Sequence, residues 1–170
     1  MIQGGEVLLT MAQIAIGLAG FSGVVAAFSR TRDFPAPDRV RFLMLVGGTF
    51  LVILLAFVPF LLELGGMEEP GLWRWSSGIW LVGLVACAPL IVAGRRIILR
   101  EGRPAPGWSL LTVLAIAAGA TLAQAGNVVG WPYPPGVVPY LLGLLAGLIG
   151  SGAIFVYLVL VRPHQGAGRT

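Results

Sequence analysis

Polar side chains interrupt this apolar chain at a few places where chemistry is conceivable: Gln13, Glu63, Ser76, Ser77, Thr121, Gln124 and Asn127. Thr121, Gln124 and Asn127 recur every three residues, so a helix carrying them presents them as one polar stripe. In an apolar surround such a stripe turns away from lipid. It then has two uses. It can line an outward-facing pocket for a polar solute, which requires Gln13 and Glu63 to meet it. Or its amides can bond to one another and hold the bundle together, which is the favoured reading.

Other chemistry is short of parts. His164 is the only histidine and Cys87 the only cysteine, so haem-ligating histidine pairs, zinc motifs and intramolecular disulfides cannot be assembled. No HExxH, CxxC, serine–histidine couple or glycine-rich phosphate loop with its lysine occurs. The expectation is a protein that is not an enzyme and binds no metal or cofactor.

The elements that must position these residues are long hydrophobic runs. Five are expected as membrane spans, at about 7–28, 42–64, 76–94, 109–129 and 137–161, each near or above the roughly 20 residues that cross a hydrocarbon layer. The composition agrees: 57% hydrophobic and 11% charged residues, with a mean hydropathy of +0.91, fit no ordinary soluble domain. The fold class expected is therefore all-α integral membrane, with residues 1–170 forming one transmembrane bundle.

The net charge of +4 does not indicate nucleic acid, because the basic residues, all arginines, alternate between connecting segments. Arg30, Arg32, Arg39, Arg41, Arg95, Arg96, Arg100, Arg103, Arg162 and Arg169 fall on one side and only Arg74 on the other. By the positive-inside rule the N-terminus is outside and the C-terminus cytoplasmic. The first run lacks a basic segment before it and is expected to be a reverse signal anchor rather than a cleaved signal.

Two small-residue ladders offer helix-packing faces: Ala15, Ala19, Gly23 and Ala27 in the first run, and Gly143, Gly147 and Ser151 in the fifth. In the first run Gln13, Gly17 and Gly20 are expected on the flank of the small face, with Met11, Ile14, Leu18 and Phe21 on the bulky one. Asp38 stands where an N-cap for the second helix is expected. Pro59 and Pro89 should disturb their helices. Glu63 is expected to pair with Arg74, while Trp73, Trp75, Trp80, Trp131, Tyr133 and Tyr140 suggest an outer aromatic belt. Arg95 and Arg96 follow a helix ending in the cytoplasm, where anionic lipid headgroups favour a cation.

The run AQIAIGLAGFSGVV, Ala12 to Val25, the arginine-rich first loop and WRWSS, Trp73 to Ser77, together resemble a loose group of small uncharacterised bacterial multi-pass membrane proteins with an AGFSG-containing first helix. That group has no assigned activity or site residues, so the resemblance carries none over; the absence of lysine among the eleven lysine and arginine positions suggests a GC-rich bacterial genome. The functional expectation is a non-catalytic structural or assembly subunit of a homo- or hetero-oligomeric complex in the bacterial cytoplasmic membrane. Its partners would be the bilayer, other membrane subunits or itself, and anionic lipid, without nucleic acid. The alternative is a small oligomeric channel or transporter with an outward-facing polar entrance.

Overall fold

The computed structural model describes residues 2, 4–28, 36–100 and 107–160, which form five α-helices and no strand. They are α1 (Gly5–Phe28), α2 (Ala36–Leu64), α3 (Gly71–Arg100), α4 (Gly107–Val129) and α5 (Val137–Leu160). All five are long and apolar enough to cross a membrane. Even α4, with 23 residues, reaches about 35 Å at 1.5 Å per residue. Arg30, Arg32, Arg103, Arg162, Arg169 and His164 lie outside the described residues, as does the side chain of Ala27.

The ends of the helices follow local chemistry. At the close of α2, Gly66 takes a positive φ of 84°, the Gly66 N–H donates to Glu63 O at 2.9 Å and the Met67 N–H to Leu62 O at 3.0 Å. That pair of bonds is a Schellman cap, which a residue with a Cβ would close only under strain. Gly130, φ 77°, ends α4 in the same conformation. The start of α2 departs from expectation. Asp38 lies inside the first turn rather than capping it, and accepts from Arg41 Nη1 at 2.9 Å one turn on. The helix begins earlier, at Ala36, because a proline in a first turn loses no intrahelical bond. Similarly α3 starts before the expected span, at Gly71, and runs on through its arginines to Arg100.

Packing centres on α2 and α5. α1 and α3 lie against α2, while α4 bridges α3 and α5. Leu8, Ala12 and Ala15 of α1, Val52, Leu55 and Ala56 of α2, Leu72 and Trp73 of α3, and Tyr140, Leu144 and Leu148 of α5 form the core. The covered seam of α1 runs Leu8, Ala12, Ala15, Ala19 and Ser22, alternating steps of four and three. A ladder of fours rotates about 40° per step on a 100° helix, so by Gly23 it has left the seam, and Gly23 is exposed. In α5, by contrast, Gly143 and Ser151 are buried and Gly147 is half-buried. Ladder positions of α5 meet α2: a Cβ on Gly147 would lie 2.8 Å from Val52 Cγ2, and one on Gly48 2.9 Å from Ser151 Oγ.

The two ends of the bundle differ in chemistry. One collects Gly4 against Val137, Gly5 against Phe60, and Trp73 against Tyr140, their ring centroids 5.9 Å apart and their planes tilted by 48°. The other carries Arg39, Arg41, Arg95, Arg96 and Arg100. There the Arg41 guanidinium sits 4.3 Å from the Tyr157 ring centroid, so α2 and α5 are joined by a cation–π contact as well as by packing.

Candidate functional site: a polar junction of α3, α4 and α5

The polar junction begins with α4, whose three-residue spacing turns Gln124 and Asn127 inward; both are fully buried. Asn127 is bonded on both sides of its amide. Its Nδ2 donates to Ser77 Oγ at 2.8 Å, to Gly136 O at 3.1 Å and, at 3.4 Å, to Trp73 O, while its Oδ1 accepts from the Gly136 N–H at 2.8 Å. The two bonds to Gly136 mimic a backbone pairing and fasten the α4–α5 connection to the helix that precedes it. The bond to Ser77 fastens α4 to α3.

Gln124 donates from Nε2 to Pro139 O at 2.6 Å and more weakly to Tyr140 O at 3.4 Å. Gly143 makes room for it. A Cβ on Gly143 would collide with Gln124 Nε2 and lie 3.1 Å from Trp80 Nε1. Gln124 Oε1 is buried and has no partner among the described residues. Thr121 spends its hydroxyl on Ala117 O at 2.8 Å within its own helix. Ser76 likewise bonds back to Leu72 O at 2.8 Å.

Two further residues belong here and were placed elsewhere by sequence. Trp73 and Tyr140 are not part of a lipid-facing belt: both are fully buried. The reason is that each polar tip finds a protein partner. Trp73 Nε1 donates to Glu69 Oε1 at 2.8 Å and the Tyr140 hydroxyl to Leu55 O at 2.5 Å. Pro59, four residues beyond Leu55 in α2, has no N–H to offer that carbonyl. Tyr140 therefore supplies the bond that the proline removed. The clue in the sequence was a proline inside a long apolar run, which frees a backbone carbonyl that a neighbouring helix can satisfy. Trp75 and Trp131 are exposed as a belt requires.

The remaining expected members are not brought together. Gln13 is exposed on the face of α1 turned away from the core, and Glu63 is exposed in the last turn of α2. Arg74 reaches the α4–α5 connection; its Nη2 would lie 2.9 Å from a Cβ on Gly130. A groove of about 320 Å³ between α4 and α5 is lined only by apolar and glycine residues, among them Ile116, Gly119, Ala120, Leu145 and Ile149. It offers a polar solute nothing to bond.

Chemically, the junction is a clasp. Its donors are spent on main-chain carbonyls, a serine hydroxyl and, for Trp73, the Glu69 carboxylate, and no group of three or more histidine, cysteine or carboxylate side chains able to hold a metal occurs among the described residues. These features define a five-helix bundle with membrane-length apolar helices and an internal amide clasp at one end. Comparison with protein families, curated proteins and solved structures finds no match.

Proposed function

We propose that this chain is a non-catalytic structural or assembly subunit of a bacterial cytoplasmic-membrane complex, with the clasp end outside and the arginine-rich end in the cytoplasm. The observation that carries the reading is the use of the interior amides. Asn127 and the donor side of Gln124 are committed to Gly136, Ser77 and Pro139, so they fix helix positions and have little left for a passing solute. The orientation is supported by the clustering of Arg39, Arg95 and Arg96 at one end.

The test is gentle extraction of the C-terminally tagged protein from its native membrane, followed by mass measurement and identification of what accompanies it. Co-purification at fixed stoichiometry, with itself or other membrane proteins, is the expected result. A stable monomer retaining a specific small ligand would overturn the proposal.

A further inference from the structure

α1 carries two seams, and only one is used inside the protomer. Leu8, Ala12, Ala15, Ala19 and Ser22 face α2 and α5. Thr10, Gln13, Gly17, Gly20 and Val24, with Glu6 one turn before them, follow the same alternation of threes and fours and are all exposed. On a 100° helix the centres of the two seams lie about 160° apart. The expectation that Gln13, Gly17 and Gly20 flank the packed face therefore gives way to a face of their own, opposite it.

This second face is the wrong surface for lipid. Gln13 lies about 12 Å along α1 from its first residue, at 1.5 Å per residue, deep enough to be in hydrocarbon. It has no hydrogen-bond partner among the described residues, whereas Thr10 satisfies itself on Glu6 O at 2.8 Å. An amide left bare in hydrocarbon is costly, and acyl chains have nothing to bond it. Below it the surface is open: a Cβ on Gly17 or on Gly20 would meet nothing within 4 Å. Another backbone can come close there.

We infer that this face of α1 docks a second copy of the chain, with Gln13 bonded to Gln13 across a two-fold axis along the membrane normal. The inference rests on the assembly reading above and names the partner and the surface. Three points select a second copy. Copies inserted with one topology present α1 in parallel, so equivalent residues sit at equal depth. A carboxamide is self-complementary, and two related by a two-fold satisfy each other's donor and acceptor. The 3.5-residue spacing of the seam matches a left-handed parallel crossing, in which Gly17 and Gly20 remain at the contact line.

The experiment uses the full chain in liposomes, with Cys87→Ala as background. Gly17→Cys should form a disulfide-linked dimer on mild oxidation, and Leu122→Cys, exposed on α4, should not. Separately, Gln13→Ala should weaken dimerisation about ten-fold. Gly17→Leu, at an exposed position whose Cβ would meet nothing within 4 Å in its own protomer, should abolish it while leaving thermal unfolding of the protomer unchanged. Dimers that persist at full strength in both variants, or cross-link equally at Leu122→Cys, overturn the α1 face. If Gly17→Cys fails to cross-link but other membrane proteins co-purify at fixed stoichiometry, the self-docking face is wrong and the subunit reading stands. If the chain is monomeric and alone, both fall.

Discussion

At the scale of single residues, Pro59 and Tyr140 form one unit although they belong to different helices. The proline deprives Leu55 O of its helical donor, and the Tyr140 hydroxyl replaces it at 2.5 Å. In a buried setting an unpaired carbonyl costs about 1–3 kcal/mol. Tyr140→Phe should therefore lower stability in detergent by an amount in that range, measured by thermal or denaturant unfolding. The decisive comparison is the same change in a Pro59→Ala background, where the restored residue-59 N–H can reach Leu55 O within α2. There Tyr140→Phe should cost clearly less, a positive coupling in a double-mutant cycle. Equal costs in both backgrounds would mean that the hydroxyl and the proline are unrelated.

At the scale of elements, glycines that look alike in sequence divide by what lies opposite them. Gly143 and Gly150 are two turns apart on α5, yet a Cβ on Gly143 would displace Gln124 Nε2 while one on Gly150 would meet nothing within 4 Å. Gly143→Ala should cost about 1–3 kcal/mol through the disturbed amide and its neighbour Trp80. Gly150→Ala should be neutral or stabilising by up to about 1 kcal/mol from helix propensity. If the two variants unfold alike, the clasp does not depend on close approach at Gly143. The same contrast explains what was legible in the sequence. Helix positions were readable because run length and hydropathy mark them, and the ends at Leu64 and Val129 fall where glycine follows. The inward turn of Gln124 and Asn127 was readable from their spacing. The side taken by Gln13 was not, since its neighbours on every face are small or apolar and only the fold decides which face meets α2. The belt assignment of Trp73 and Tyr140 failed for a related reason: an aromatic near a helix end suits an interface and a core equally, until a partner for its polar tip is known.

At the scale of the whole molecule, the arginine-rich end contains charges of two kinds, and they should separate in experiment. Arg41 is buried, bonded to Asp38 at 2.9 Å and lying over Tyr157; its charge is answered within the bundle. Arg95 and Arg96 are exposed at the far end of α3, where anionic headgroups contribute about 1 kcal/mol for each arginine near the surface. Arg95→Gln combined with Arg96→Gln should thus lower the affinity for anionic lipid about thirty-fold, scaling from that value, measured as lipid retained by the purified protein at low salt. Thermal unfolding should not change. Arg41→Gln should do the reverse, leaving lipid retention intact but costing about 3 kcal/mol, because Asp38 keeps a buried charge that has lost its cation. High salt should erase the first effect and spare the second, since exposed charges are screened over about 8 to 10 Å and buried pairs much less. Loss of lipid on Arg41→Gln, or loss of stability on the paired change at Arg95 and Arg96, would show that the two groups act as one electrostatic surface and that the arginine-rich end of the bundle is held together by lipid.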